Sequence, residues 1–424
     1  MREADRLSLL KDITRTLVIL SKGKSSIDLE KIKELSDHTI KDVALYKSTD
    51  AVSLAILIYS IYKTIPAMSD EDFKDLIAEL KFLEQHISAK NLRRYNQSLK
   101  VLFNLIRKSN SAFKTHINDV FHAAKLKKGV SLFDHGLSAS RTAELMGLTK
   151  WELLEYMGKT TNFDKHHEKV KAIDRYLQAE LVFSKKNRKK VLFFDAGPII
   201  TLAMSRLLWI LEPLKIKFGG KFYITPAVRT ELIERPLKIK RFEFEALQVL
   251  KLIRDGTLEM YPELPYEKTQ ELTKLSNQTY KVDKKWIEII QAGEMETVIA
   301  SMDKAKSSIV MDERTMRLLL EDSDSLKSLL ERRSRKPATI NEKNVEEFNQ
   351  KVGKINIIRS IELVSLAFKF GFLDQFLPKL PNAWDVLLDS VLWNAKYNGC
   401  AVTEHEVLEL KEFLLNNCSP KFKK

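Results

Sequence analysis

Short apolar runs that favour β-strands alternate with helical segments after residue 190, and this alternation most constrains the fold. The runs are VLFF (191–194), FYI (222–224), SIVM (308–311) and INII (355–358). Each is followed by a segment whose apolar residues recur at helical spacing. Strands joined by helices pair in parallel, because the chain must cross back over the sheet between them. We therefore predict an α/β domain over residues 191–415, with a parallel sheet and helices on both of its faces.

Two stretches of this region do not follow the alternation. Residues 256–285 and 321–353 are polar and carry few apolar repeats, so we interpret them as insertions. The second contains the basic run Lys327–Lys336 (KSLLERRSRK). That run is either a contact for an RNA backbone or an exposed loop.

Residues 1–130 show helical periodicity throughout. Leu9, Ile13 and Leu17 recur at helical spacing, and Ser69 stands where a helix cap is expected, before three acidic residues. No pattern of catalytic or metal-binding residues accompanies these helices. We predict an all-helical scaffold or interaction region here, and the sequence leaves its role open.

A helix-turn-helix is predicted within residues 131–182. Ser138 can cap a short helix that ends at Met146, Gly147 can make the turn, and Lys150–Met157 forms a second helix. The segment SASRTAELMGLTKWELLEYM resembles the helix-turn-helix of small prokaryotic antitoxins and regulators. A helical hairpin that serves only packing is the alternative. The second helix is expected to expose Lys150, which could then contact nucleic acid.

Positive charge is concentrated in the N-terminal part of the chain. Residues 1–190 carry 35 Lys and Arg against 24 Asp and Glu, whereas 191–424 carry 36 against 33. This asymmetry indicates a polyanion-binding module joined to a second domain, unless it reflects only a lysine-rich proteome. Residues 183–190 are predicted to be a basic linker, and 416–424 a basic tail.

The composition excludes several classes of protein. Two cysteines, Cys400 and Cys418, are too few for a disulfide scaffold or a cysteine-based zinc site. The first residues, MREADRLSLLKDITRTL, carry acids and have no long apolar stretch, so we expect no signal peptide. The longest apolar run, 51–62, is shorter than the roughly 20 residues that span a bilayer. We expect a cytoplasmic protein, of a bacterium or archaeon, with no membrane partner.

Four acidic residues lie where the strands of the predicted sheet end. Asp195 and Asp312 directly follow two strands, Glu231 lies on the helix after a third, and Glu294 begins the helix that leads to Asp312. Ligands of open α/β sheets bind at the carboxyl ends of the strands. Carboxylates that converge there repel each other unless a cation lies among them, and Mg²⁺ and Mn²⁺ prefer oxygen ligands. We predict a magnesium or manganese site.

The same region resembles the PIN-domain family of toxin-type and RNA-processing nucleases. The resemblance covers about 191–415 and rests on VLFFDAGPIITLA, ITPAVRTELI, GEMETVIAS, IVMDERTMRLLL and the closing helices. It implies metal-dependent cleavage of RNA by Asp195, Glu231, Glu294 and Asp312. The family often has a Ser or Thr shortly after the first Asp, whereas the nearest one here is Thr201.

Several further residues are candidates for the same site. Glu296 is an alternative metal ligand to Glu294, but the two differ by about 200° around a helix, so we expect only one of them to face the metal. Arg229, Arg314 and Arg317 lie near the proposed acids in the sequence and could hold RNA phosphates. For Arg317, a solvated helix face is the alternative.

We therefore predict a ribonuclease whose N-terminal module binds nucleic acid or restrains the nuclease, as in a fused toxin–antitoxin pair. RNA is the expected partner, with DNA as a second partner through the helix-turn-helix, and a homodimer is a further expectation. One alternative is a non-catalytic regulator or scaffold with an inactive PIN fold. The other is a nuclease that acts on DNA.

Overall fold

A computed structural model describes residues 3–46, 49–108, 117–134, 137–160, 169–184, 190–262, 264–282, 285–304, 307–334 and 336–417. The chain forms two compact units. The first comprises Met1–Leu137 and Thr142–Leu148, and the second comprises Ser138–Arg141 and Thr149–Lys424. Within the described residues, no helix has both the length and the apolar character that crossing a membrane requires.

The first unit is helical where it is described, as the periodicity predicts. Its helices are α1 (Glu3–Leu20), α2 (Leu29–Tyr46), α3 (Thr49–Thr64), α4 (Asp70–Ser88), α5 (Leu92–Lys108) and α6 (Ile117–Asp134). Ser69 caps α4 by accepting a hydrogen bond from the backbone N–H of Asp72, 3.1 Å away. Lys128 is fully buried and its Nζ lies 2.7 Å from Asp37 Oδ1.

The segment predicted to be a helix-turn-helix contains two short helices. They are α7 (Ala139–Met146) and α8 (Lys150–Thr160), and Gly147 between them adopts a left-handed conformation with φ +60°. Ser138 accepts a hydrogen bond from the backbone N–H of Arg141, as expected of a cap. The division between the two units falls inside this segment, and α8 belongs to the second unit. The helix-turn-helix interpretation stays a prediction.

The second unit contains the strands and the remaining helices. The strands are β1 (Val191–Phe194), β2 (Lys221–Ile224), β3 (Glu259–Met260), β4 (Tyr280–Val282), β5 (Lys285–Trp286), β6 (Ser307–Val310), β7 (Ala338–Ile340) and β8 (Asn356–Ile358). The helices after α8 are α9 (Ala172–Ser184), α10 (Ala196–Met204), α11 (Leu211–Phe218), α12 (Pro226–Arg229), α13 (Glu243–Arg254), α14 (Tyr266–Ser276), α15 (Ala292–Met302), α16 (Arg314–Glu321), α17 (Ser323–Ser334), α18 (Glu342–Val352), α19 (Ser360–Lys369), α20 (Ala383–Tyr397) and α21 (Glu404–Asn417). Of the predicted linker, residues 185–189 lie outside the described residues, as do 418–424 of the predicted tail.

A parallel five-stranded sheet forms the centre of this unit, so the predicted α/β class is confirmed. The strand order is β3-β2-β1-β6-β8, and every neighbouring pair is parallel. β1 is buried along its whole length, as expected for the central strand of a covered parallel sheet. The chain moves from β1 outwards to β3 and then returns to the other side of β1. The order of the strands therefore reverses between β1 and β6, where open α/β sheets bind their ligands.

The two segments interpreted as insertions have secondary structure of their own. They contain β4, β7, α14, α17 and α18, and they contribute to a small antiparallel sheet of order β5-β4-β7. Residues 256–285 also contain β3 of the main sheet, so the interpretation of this segment as an insertion is wrong for that part. Tyr280 and Val282 of this sheet are fully buried. Lys327 lies in α17, so the interpretation of 327–336 as a loop is wrong for its helical part. β3 was missed because two residues carry no periodicity.

Helix α9 packs within the second unit. Its Tyr176 ring lies 5.9 Å from the Phe413 ring, and its Phe183 ring lies 5.2 Å from the Phe218 ring. Arg175 of the same helix pairs with Glu321. Residues before the predicted linker therefore complete the core around the sheet.

Candidate functional site

Asp195 and Asp312 lie on the two sides of the point where the strand order reverses. Asp195 follows β1 directly, and its backbone N–H donates to Val310 at the end of β6, 3.0 Å away. Asp312 comes two residues after β6. Both side chains are buried, with 2% and 3% of their surface exposed. The two acids that the sequence predicts at this edge are thus held by neighbouring strands.

Gly197 allows the close approach of these two acids. Its N–H donates to Asp195 Oδ2 at 3.0 Å, which makes Asp195 the N-terminal cap of α10. A Cβ atom at position 197 would lie 3.2 Å from that same oxygen and 3.6 Å from Cβ of Asp312. A side chain at this position would therefore press on the Asp195 carboxylate and would be in ordinary contact with the side chain of Asp312.

Both carboxylate oxygens of Asp312 accept hydrogen bonds. Its Oδ2 accepts from the Thr201 hydroxyl and its Oδ1 accepts from the Ser360 backbone N–H, each at 2.8 Å. Burial raises the pKa of Asp312, and these two hydrogen bonds act in the opposite direction. Thr201 is thus a member of the site, although it stands six residues after the first Asp rather than close behind it.

Glu231 and Glu294 reach the same region from two helices. Glu231 lies in a π-helical turn, Thr230–Glu234, that continues α12, and such turns occur often at functional sites. Glu294 is in the first turn of α15, where its Oε2 accepts from the Gln291 backbone N–H at 3.2 Å. Burial raises the pKa of both carboxyls, and the neighbouring charge of Glu313 raises that of Glu294 further.

Glu313 is an acid of the site that sequence analysis missed. It is 8% exposed, and its Oε2 accepts from the Ala139 backbone N–H at 3.3 Å. Its position directly after Asp312 was the available signal. If the strand continued, alternation would point the two side chains to opposite faces. β6 ends at Val310, so that constraint does not apply.

Lys150, the first residue of α8, lies among these acids. Its Nζ is 3.3 Å from Asp195 Oδ2 and 3.7 Å from Glu231 Oε2. The expectation that α8 exposes Lys150 is wrong, because only 3% of this residue is exposed. Burial lowers its pKa, but the negative charges of the surrounding acids outweigh that effect and raise it. The lysine is therefore charged in the folded protein.

We call Asp195, Glu231, Glu294 and Glu313 the acidic cluster. All four exert a charge effect on Lys150, and none is more than 9% exposed. Glu294 Oε1 and Glu313 Oε1 are buried yet accept no hydrogen bond from the described residues. Four carboxyl groups face one lysine, so Lys150 alone cannot balance their charge when all four are ionised.

The donor chemistry of this site fits a divalent cation, but its present arrangement does not form a complete metal site. Buried carboxylates, two of them with unpartnered oxygens, are the ligands that Mg²⁺ and Mn²⁺ prefer. Within the described residues, however, no three His, Cys, Asp or Glu side chains are placed so that they could hold a metal ion together. The Lys150 ammonium supplies the positive charge instead.

The other predicted site residues lie outside the acidic cluster. Glu296 is partly exposed and accepts from the backbone N–H of Ala227 at 3.1 Å. Arg229 is partly exposed and pairs with Glu234. Arg314 and Arg317 are buried, and Arg317 donates to the carbonyl of Asp312 and, at 3.0 Å, to that of Ala401.

The two buried arginines cannot reach a phosphate without a rearrangement. Their assignment to nucleic-acid binding stays a prediction, and the alternative of a solvated helix face for Arg317 is wrong because this residue is fully buried. A helix that follows a buried strand often turns its first residues inwards. The sequence pattern of α16 did not predict the burial of its two arginines, because they are interspersed with apolar residues at helical spacing.

We expect Glu294→Gln to stabilise the metal-free protein at pH 8 more than at pH 5. The pKa of Glu294 is raised in the folded state, so the native state favours the protonated acid and loses stability as the pH rises through that pKa. Glutamine removes the charge that causes this loss. The Tm should rise by roughly 2–4 °C at pH 8, the shift that about 1 kcal/mol gives in a large domain.

Thermal unfolding at both pH values, in the presence of EDTA, measures this difference. Glu296→Gln is the matched control, because it makes the same change on the same helix outside the acidic cluster. A Tm that falls at pH 8, or an equal shift at both pH values, would contradict the assignment of Glu294 to an overcharged buried cluster.

Comparisons with known proteins add no relative. No protein-family model matches this sequence, and a search of curated proteins found no match to it.

Proposed function

We propose that the chain is a metal-dependent ribonuclease of the PIN type, which cuts RNA at the acidic edge of the second unit. One observation carries the proposal: buried carboxylates converge where the strand order reverses, and two of their oxygens lack a partner. Burying several like charges destabilises a fold, so such a cluster is typical of a functional site.

The residues of the site would have different roles. Asp195, Glu231 and Glu294 would hold Mg²⁺ or Mn²⁺, and Asp312 would support the site through its bonds to Thr201 and Ser360. A bound ion would supply an activated water and would stabilise the charge that develops on the phosphodiester.

The test is cleavage of a mixed single-stranded RNA by the full-length protein with Mn²⁺, with Mg²⁺ and with EDTA. The double variant Asp195→Asn/Asp312→Asn is expected to lose at least about 10³-fold in rate, the scale on which removed electrostatic stabilisation slows catalysis. Asn keeps the size of each side chain, so the fold should persist, and a thermal melt checks that it does. Metal-independent cutting, or equal rates in the double variant, would remove the proposal.

A single-stranded and a duplex DNA belong in the same experiment at equal salt, because backbone binding depends steeply on ionic strength. Preferential cutting of DNA would replace RNA as the substrate class. The predicted helix-turn-helix and the basic N-terminal part make this comparison necessary.

A second candidate function is a non-catalytic nucleic-acid-binding regulator or scaffold with an inactive PIN fold. The observation in its favour is Lys150, whose ammonium already lies between Asp195 and Glu231. Binding of RNA without cleavage in any metal, by protein that melts cooperatively, would favour this function over the nuclease.

A further inference from the structure

We propose that the Lys150 ammonium is an internal cation that occupies the acidic cluster and competes with the divalent ion for it. The inference rests on the proposed function, because it concerns the regulation of the same site. Lys150 forms ion pairs with Asp195 and Glu231, and it is almost fully buried beside them. A metal ion must therefore displace a resident positive charge before it can bind.

The distances favour displacement. Nζ of Lys150 lies 3.3 Å from Asp195 and 3.7 Å from Glu231, whereas a strong charge-assisted hydrogen bond spans about 2.7–2.9 Å. The ammonium thus lies between two carboxylates without a short bond to either. Divalent ions coordinate carboxylates directly, at about 2.0–2.1 Å for Mg²⁺. An ion of twice the charge at a shorter distance has the stronger interaction.

The lysine also leaves part of the cluster unsatisfied. Glu294 Oε1 and Glu313 Oε1 accept no hydrogen bond from the described residues, and a single ammonium has only three donors. A hydrated divalent ion brings more donors and twice the charge to the same space. The unpartnered oxygens are therefore places at which an ion and its waters would gain contacts that Lys150 cannot make.

Displacement of the ammonium would move the side chain of Lys150 and not helix α8, because the helix is held in place. Trp151 donates its indole N–H to the carbonyl of Glu231 at 3.2 Å. The backbone N–H of Thr149 is held by Glu152 at 2.6 Å. Gly158, near the other end of α8, packs so closely that a Cβ there would lie 1.7 Å from the carbonyl oxygen of Tyr397. The flexible four-carbon stem of Lys150 can withdraw while α8 stays in place.

The experiment is titration of Mn²⁺ into full-length protein by calorimetry, with wild type and Lys150→Met compared at one pH. Methionine keeps an unbranched stem of similar length and removes the charge. We expect Lys150→Met to bind Mn²⁺ at least about tenfold more tightly, a change worth about 1.4 kcal/mol. Metal-free Lys150→Met should have a lower Tm than metal-free wild type, and Mn²⁺ should raise the Tm of Lys150→Met by more than it raises that of wild type.

Lys128→Met is the matched control. Lys128 is also buried and paired with one carboxylate, Asp37, but it lies in the first unit. It should bind Mn²⁺ with the wild-type affinity. Equal tightening in Lys128→Met and Lys150→Met would show a general effect of lost positive charge and would overturn the inference.

The remaining outcomes separate this inference from the proposed function. If wild type binds Mn²⁺ and folded Lys150→Met binds it with the same or a lower affinity, the inference is overturned and the proposed nuclease function is not affected. No Mn²⁺ binding by either protein overturns both. If Lys150→Met does not fold, the test uses Lys150→Arg. Arginine keeps the positive charge and forms bidentate hydrogen bonds with carboxylates. Mn²⁺ must therefore bind to Lys150→Arg no more tightly than to wild type. Tighter binding by Lys150→Arg overturns the inference.

Discussion

Trp151→Ala is expected to lower the Tm of the second unit by roughly 6–20 °C. Replacing a buried Trp by Ala costs about 3–5 kcal/mol, and each kcal/mol shifts the Tm of a large domain by about 2–4 °C. Trp151 is fully buried, and its ring lies 5.7 Å from that of Phe242. The substitution also leaves the carbonyl of Glu231 without its donor, next to the acidic cluster.

Trp151→Phe separates the two contributions. Phenylalanine keeps an aromatic ring against Phe242 but cannot donate to Glu231, so it should cost about 1–3 kcal/mol, the price of an unsatisfied buried carbonyl plus some packing. Differential scanning calorimetry of the full chain measures both variants. A Trp151→Ala protein that melts within about 2 °C of wild type would show that α8 does not stabilise the unit that contains the sheet.

Restraint of the proposed nuclease could be tested by comparing the full chain with a fragment that begins at residue 191, after the predicted linker. Such a fragment would lack both α8, with its buried Trp151, and α9, with its buried Tyr176. A loss of activity would then have two explanations. Lys150→Met in the full chain removes the contact with the acids and leaves both helices in place.

Four of the five strands of the main sheet, β1, β2, β6 and β8, and the acids after them could be predicted because their signals are local. A buried strand appears as a short apolar run, and the residue that follows it is fixed by the chain itself. Asp195 and Asp312 were therefore found together with β1 and β6. Helical geometry predicted that only one of Glu294 and Glu296 would face the site, and the structure brings Glu294, not Glu296, to the acidic cluster.

The features of the site that could not be predicted from the sequence depend on contacts between distant segments. Lys150 is 45 residues away from Asp195, and nothing in the local pattern of α8 distinguishes a buried lysine from an exposed one. Arg314 and Arg317 show the same limit, because charged residues are normally exposed and are buried only when distant partners satisfy them. The acids attract Lys150 inwards, and those acids come from four other segments. An excess of charge at one point of a predicted sheet is thus a reason to search for a buried partner of opposite charge.

Arg359→Met is expected to lower the stability of the second unit by about 3–5 kcal/mol, the cost of removing one partner from a buried ion pair. Arg359 is fully buried between two acids. Its guanidinium donates to Glu362 Oε1 and to Glu406 Oε1, each at 2.7 Å. Methionine removes the charge and leaves both carboxylates inside the protein without their main donor.

The consequence extends to the candidate site because Arg359 ends the turn from β8 into α19. The next residue, Ser360, donates its backbone N–H to Asp312, so loosening this turn should also disturb Asp312. We therefore expect Arg359→Met to reduce the proposed Mn²⁺-dependent cleavage at temperatures well below its Tm, and to do so more than its loss of folded protein explains. Cleavage rates at 15 °C, divided by the folded fraction from circular dichroism, measure this.

The control is the variant that removes the charge of the whole network, Arg359→Met/Glu362→Gln/Glu406→Gln. Glutamine removes each negative charge but keeps an oxygen that can accept from the backbone N–H of residue 359 or of Thr403, so this protein should regain most of the Tm lost in Arg359→Met. If it remains as unstable as the single variant, the loss comes from packing and not from stranded charge. If Arg359→Met itself melts like wild type, the buried arginine does not hold the turn that presents Ser360 to Asp312, and the support of the candidate site must come from elsewhere in the sheet.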